Sequence, residues 1–443
     1  MDAILDFIHE LRFEALPATV IEQASRCLLD LIGVAVAGRA TRLSRIMDDF
    51  VCGQYPGEVP LLFDGRRASA CGAALYGAML IDSVDAHDGQ VLTKGHVGVA
   101  VLPALLAVAH GRPLDGRELI TSLVVGYEIA TRAGIALHAS ACDYHTSGAW
   151  NGLGATAVLA RLHGLDRWQS REALGIAEFY GPRSQMMRCI EYPTMLKDGS
   201  GWGALAGVSA GLLAQAGFTG APAVTLARDP AGTWADLGRR WYIEEQYFKA
   251  YPVCRWAQPA VEAVRELRPR LDADVGRIRE IHIHTFLEAT RLHTQQPATT
   301  EQAQYSLPFS VASALLDDDI GPEAIAEDDR GLRHPLRRAL SEKVRLHEAA
   351  GYSRLFPGQR WAHARILLDD GRELVSEPAV ARGNPENPLS TAELSAKFER
   401  MTRGRLPAGV GEQLRRQALA VAGLDGAALA RFIGLLATPV AQA

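Results

Sequence analysis

The chain has 443 residues, 48% of them apolar and 22% charged, with a formal net charge of −5. That length exceeds one compact core and predicts two domains, while the composition is that of a globular protein with a large interior. The acidic balance, without any Lys/Arg-rich run, argues against nucleic-acid binding, so an anionic substrate must meet positive charge concentrated locally.

From the start to about Arg270 the apolar spacing is helical, over 4–16, 18–37, 68–83, 97–110, 119–137, 147–163, 171–179, 203–216 and 259–271. Many of these segments carry Ala and Gly on several faces, which predicts helices buried inside a bundle. The texture changes near Asp272. Residues 277–286, RIREIHIHTF, alternate as a strand does; 343–347 is a second candidate, and 362–368 and 372–375 flank the hairpin signal Asp369-Asp370-Gly371. Helical patterns lie between them at 300–316 and around 328–341, and return at 391–401 and 412–435. The fold class is therefore mainly α: a helical domain built from 1–272 and 391–443, with an α+β lid inserted at 273–390.

No signal peptide is evident in MDAILDFIHELRFEAL, whose early acidic residues replace a basic leader. The most apolar uncharged run, Val97 to Ala109, contains Pro103 and is too short to span a bilayer. No membrane association and a cytoplasmic location are expected. The six cysteines, Cys27, Cys52, Cys71, Cys142, Cys189 and Cys254, form no C-x-x-C pair, which predicts buried free thiols and offers no structural zinc or iron–sulfur cradle.

The densest chemistry lies in LIDSVDAHDGQVLTKGHVGVAVLPALLAVAH, residues 80–110. Asp82, Asp85, His87, Asp88 and Lys94 crowd together just before His96, which abuts a run of small apolar residues. Such a pattern predicts a polar pocket against the end of a buried helix, where carboxylates and imidazoles shift one another's pKa. The segment HTSGAWNGLGATAVLARLHG repeats this grammar from His145, so two buried helices would each bring an imidazole to one cavity. Cations able to hold an anion are Lys94, Arg183, Arg188, Lys197, Lys249 and Arg255; Lys197 precedes a Gly-rich helix start that lacks phosphate-loop spacing.

Three other readings compete. His87-Asp88 is shared with helical metal-dependent phosphohydrolases, but no His lies between His9 and His87 to complete that site. A mononuclear metal site from His87, His96 and His145 is geometrically conceivable; His282 and His284 fit a half-exposed strand better than a ligand pair. A noncatalytic scaffold would leave the clustered charges without purpose.

The order of several segments resembles the MmgE/PrpD family: CLLDLIGVAVAG (27–38), DSVDAHD (82–88), GHVGVAVLPALLA (95–107), VVGYEIATRAG (124–134), YHTSGAWNGLGATAVLARLHGLD (144–166), MLKDGSGWGALAGVSAGLLAQAGFTGAP (195–222), YPVCRWAQPAVEA (251–263) and SLPFSVASALLDDDI (306–320). The resemblance implies a helical domain with an α+β lid, usually a homodimer. It also implies a lyase, most often a hydro-lyase, acting without metal or organic cofactor on a small di- or tricarboxylate. Epimerase and decarboxylase chemistry are the alternatives within the family, and a metal-dependent hydrolase the alternative outside it.

Carried over by matching residues, His96, His145, Asp85 and Lys197 are the implied catalytic set. Lys249, Asp88, His87, Lys94 and Arg255 are candidates for substrate binding. Either His would serve as base or acid, with Asp85 orienting or charging one of them. The chain departs from the pattern at Asp82, where the family usually has His, at His87, where it has Asp, and at Val97, where it has Pro. It departs again at Phe309, where a phenol is expected, and in a loop from Gly89 to Gly95 that is one residue longer.

Overall fold

In the computed structural model, which describes residues 1–229, 232–271 and 275–440, the chain is mainly α-helical. The helical body begins with α1 (Asp2–Glu10), α2 (Ala18–Gly38) and α3 (Arg42–Gln54). A small ribbon of β1 (Val59–Pro60) and β2 (Arg67–Ala68) precedes α4 (Ala70–Asp82). Then come β3 (Gly89–Gln90), α5 (Gly98–Ala109), α6 (Gly116–Ser140), α7 (Gly148–His163), α8 (Arg167–Tyr180), α9 (Met186–Glu191), α10 (Ser200–Gln215), the short α11 (Val224–Ala227), β4 (Gln246–Tyr247) and α12 (Gln258–Leu267).

Small residues set how closely these helices stack. At Gly152 of α7 a Cβ would lie 2.5 Å from the Gly203 carbonyl oxygen of α10, so the two backbones touch where other residues would hold them apart. By length and composition α6 is apolar enough to cross a membrane, but 94% of its apolar window is buried within the bundle. Its buried Glu128 and Arg132 pair there at 3.3 Å.

The strand-rich part has β5 (Ile278–Thr285) at its centre, parallel to β6 (Val344–Glu348) and antiparallel to β7 (Trp361–Leu368); β8 (Glu373–Val375) and β9 (Ala379–Val380) pair with β7. Between β5 and β6 lie α13 (Thr300–Gln304), α14 (Leu307–Leu316) and α15 (Pro335–Glu342), and α16 (Ala350–Ser353) precedes β7. Ile281, Ile283 and Ile366 turn inward and are fully buried, while His282 and His284 occupy the other face, as strand alternation requires.

The closing helices α17 (Thr391–Thr402), α18 (Val410–Leu419) and α19 (Gly426–Leu436) return to the helical body. Lys397 of α17 binds Asp30 of α2 at 2.5 Å, pinning the two chain ends together.

Several expected boundaries shift for local reasons. The pattern at 300–316 divides because Ser306 caps α14, accepting from the Phe309 N–H at 3.0 Å. That at 412–435 divides because Asp425 caps α19 in the same way. The stretch 4–16 ends as a helix at Glu10 and continues as a 3-10 turn, Phe13–Ala15. Helix α3 was not expected, although Leu43, Ile46, Met47, Phe50 and Val51 carry helical spacing; α9 is under two turns. The expected change of texture at Asp272 falls outside the described residues.

Candidate active site

The loops that enter the site are held in uncommon backbone conformations. Only four described non-glycine residues have φ in the left-handed region, and three of them, Asp85 (51°), Lys94 (52°) and Lys197 (52°), belong to the expected site. Each costs roughly 1–3 kcal/mol, which the surrounding packing must offset. Asp85 turns the chain out of α4, Lys94 closes a tight loop whose Gln90 N–H donates to Gly95 O at 2.9 Å, and Lys197 precedes α10.

These turns bring chemistry from distant segments to one small cavity of about 20 Å³. Its wall holds Asp85, Lys94 and His96 from the first cluster, Lys249 and Arg255 from the segment before α12, and Tyr144, Met186, Ile190, Tyr247, Cys254, Trp256, Tyr305 and Arg360. Of the other expected residues, Lys197, Asp82, His87 and Asp88 are buried but do not line it. Arg183 and Arg188 are exposed and do not line it.

Asp85 pairs with Lys249: the ammonium donates to the Asp85 carboxylate at 2.8 Å and to its backbone carbonyl at 3.0 Å. Asp85 thus makes its ion pair with a lysine, while its charge also favours the protonated form of His96. Burial pushes the Asp85 carboxyl up, but Lys249 and Lys197 overrule it and hold it below the usual range. Burial likewise opposes the Lys249 ammonium, and Asp85 reverses the sign and raises it. Both groups are therefore charged at neutral pH.

His96 is oriented by a backbone acceptor. Its Nδ1 lies 2.6 Å from the Asp88 carbonyl oxygen, which can only accept, so Nδ1 carries the hydrogen and Nε2 keeps its lone pair. Its own N–H donates to the Ser147 hydroxyl at 2.8 Å. Burial, reinforced by Lys249, pushes the imidazole down to about 3, so it is neutral. A carboxylate substrate would neutralise those cations and raise its basicity.

His87 packs behind it with ring centroids 4.4 Å apart, fully buried, both ring nitrogens without a hydrogen-bond partner, and 3.9 Å from Asp82. Burial and then His96 drive it well below the ordinary histidine value.

His145 stands apart from this wall. Its ring stacks on His138 at 6.5 Å, and its backbone N–H donates to His138 Nε2 at 3.3 Å. It is Ser147, two residues on, that reaches the His96 backbone. Ser147 also donates to Asp198, whose other oxygen accepts the Ser147 N–H at 3.0 Å. Burial and then Asp82 raise Asp198 to about 7; burial raises Asp82 to about 6 and Asp88 to about 7. The site thus holds one firmly ionised carboxylate and three that are poised near neutrality.

Lys197 donates to the Gln304 side chain, and its ammonium lies 5.1 Å above the Tyr305 ring. Gln304 also donates to Ser83 O at 2.9 Å, tying α13 to the end of α4. Phenols are therefore present at the cavity, from Tyr144, Tyr247 and Tyr305, the last four residues before the expected position. Phe309 packs instead under Arg337, its ring 5.8 Å from the guanidinium. The residues that spacing did not reveal are Ser147, Asp198, Gln304, Tyr305, Tyr247 and Arg360; the Asp beside Lys197 was the one visible signal. Among the described residues no three His, Cys, Asp or Glu side chains converge to hold a metal ion.

Comparison with known proteins gives the family. The profile of the MmgE/PrpD N-terminal domain matches residues 2–237, and that of the MmgE/PrpD C-terminal domain matches 251–422. The chain belongs to the MmgE/PrpD family. Within it, the chain is 23% identical over 434 residues to a cis-aconitate decarboxylase of Aspergillus terreus, spanning 89% of this chain and 87% of that protein. It is 25% identical over 448 aligned residues to the cis-aconitate decarboxylase-like protein oryM of Aspergillus oryzae, spanning 90% of this chain and 89% of that one. This MmgE/PrpD member is thus distant from both relatives while collinear with them.

Proposed function

We propose that this protein is a lyase that acts on a small di- or tricarboxylate by proton transfer at the carbon α to a carboxylate, using its own side chains and no metal or organic cofactor. The observation that carries this reading is the neutral His96 imidazole beside the Asp85–Lys249 pair, in a cavity ringed with cations. His96 Nε2 takes the α-proton, the C–H electron pair moves into the carboxylate, and Lys249 and Lys197 stabilise the enediolate charge. Expulsion of a β-hydroxyl, protonated as it leaves, gives an alkene and water. His145 is the second candidate for proton transfer, from the edge of the site. Decarboxylation is the second reading, favoured by the names of the relatives; there the C–CO₂ bond breaks and its electron pair is protonated.

A cavity of about 20 Å³ has room for a single water and none for a tricarboxylate. We propose that the strand-rich part acts as a lid, separating from the helical body to admit substrate at the Gln304–Lys197 and Arg360 contacts. A homodimer is proposed as well. Helix α10 has no charged residue, and its outward Trp202, Leu212 and Leu213 stay exposed beside Phe179 and Tyr180, the kind of apolar face that a second copy covers.

Incubation with hydroxy- and unsaturated polycarboxylates in D₂O, followed by NMR, tests the function. Loss of water or CO₂ with deuterium at the α-carbon is expected; no exchange with any acid would refute it. Turnover should survive exhaustive chelation, and its loss with recovery on adding a divalent metal would favour the hydrolase. A monomeric mass at micromolar concentration would count against the dimer.

A further inference from the structure

Beyond Lys249, the cavity wall gathers three cations that, among the described residues, form no ion pair with a carboxylate. Lys94 comes from the tight loop before α5, Arg255 from the segment before α12, and Arg360 from the turn that leads into β7. Each is occupied only by neutral partners. The Lys94 ammonium lies 4.5 Å above the Tyr144 ring. Arg255 donates to Gln258 at 3.0 Å, to Arg382 O at 2.8 Å and to the Asn384 side chain. Arg360 rests against the Phe356 ring at 5.8 Å, and its buried Nε has no hydrogen-bond partner.

Arg360 is close enough to repel each of the other two. Burial and then Arg360 depress the Lys94 ammonium, against Glu288; burial pushes Arg255 down to about 10, with Arg360 lowering it further and Tyr247, Glu386 and Glu262 raising it. Like charges collected on a cavity wall, with their donors unspent on acids, are costly unless an anion joins them.

We propose that Arg360, with Lys94 and Arg255, forms a second anion subsite that grips a carboxylate remote from the reacting carbon and selects substrates bearing that extra carboxylate. This rests on the carboxylate reading above and deepens it. Because Arg360 is carried by the strand-rich part and the other two by the helical body, the same carboxylate draws the two parts together. A guanidinium fork suits the task better than an ammonium, since it binds a carboxylate through two parallel N–H bonds.

The test is calorimetric binding of two unreactive acids, succinate and tricarballylate, to the full-length protein and to Arg360→Gln and Arg360→Lys. Wild type should bind tricarballylate about tenfold tighter than succinate. Arg360→Gln should lose that preference while holding succinate within about twofold, and Arg360→Lys should keep part of it. Unfolding midpoints of the variants, measured alongside, establish that they fold. An unchanged preference in Arg360→Gln, or equal weakening of both acids, overturns the subsite and leaves the function standing. Failure of wild type to bind either acid refutes the carboxylate reading and the subsite with it.

Discussion

Histidines cluster twice in this protein, and the two clusters differ in what surrounds them. On the open face of the sheet His282, His347, His284 and His363 form a stack, with successive centroids 5.1, 4.8 and 4.6 Å apart. Its ends are satisfied by Glu280 at 3.0 Å and by the Tyr352 hydroxyl at 3.0 Å. All four rings are half-buried, and strand register alone puts them side by side. His87 and His96 instead stand in the interior among lysines and carboxylates, on backbone that turns through left-handed conformations. Imidazoles in company are therefore weak evidence for chemistry. A fixed tautomer, a free lone pair and several cations at one cavity are the stronger signal.

The sharpest way to break this contrast is replacement. His96→Ala should lower kcat by roughly 10²–10⁴-fold, while His284→Ala should leave turnover unchanged in the same assay. His145→Ala is expected at the lower end, about 10²-fold, because its ring stands off the cavity wall.

Next in size is a stability difference. Asp85→Ala strands the buried Lys249 charge and should cost about 3–5 kcal/mol in denaturant unfolding. The same measurement on His284→Ala should give no more than about 1 kcal/mol, as expected at a half-exposed site.

The smallest effect is a difference in pH dependence. Burial lowers His284, His347 and His363 below 6.5, so the unfolded chain binds more protons in the window beneath that value. Their stability contribution is present above pH 6.5 and lost on acidification; His87 and His96 act in the same sense. The Asp88 carboxyl, raised from 3.8 to about 7, acts oppositely: its contribution is present below pH 3.8 and lost as pH rises through 7. Stability curves should therefore flatten on the acid side in His284→Ala and between pH 4 and 7 in Asp88→Asn. Parallel curves for both variants and wild type would show that the two clusters do not titrate as described.

Much of the helical body was legible because local rules write it. Small residues mark the buried helices, and alternating Ile marks β5, since periodicity follows from backbone geometry alone. Within the site, Asp85, Lys94, His96, Lys249 and Arg255 were identified as candidates from residue type and collinear motifs, and they share the cavity wall. The partner of Asp85 was not legible: Lys249 lies 164 positions away, and no local pattern distinguishes it from an imidazole.

The sequence by itself determined the helical class, the strand pattern from residue 277 onward, the family and most of the charged residues at the cavity. Those properties depend on neighbours along the chain or on motif order, which a string of letters carries. Only the tertiary structure decided that Tyr305 rather than position 309 supplies a phenol, that Ser147 and Asp198 sit beneath His96, and that Arg360 joins Lys94 and Arg255. Hydrogen bonds and fields act over a few ångströms in space whatever the separation along the chain. Which groups feel one another is therefore settled by packing, and packing also fixed which of two histidine clusters faces the cations of the cavity.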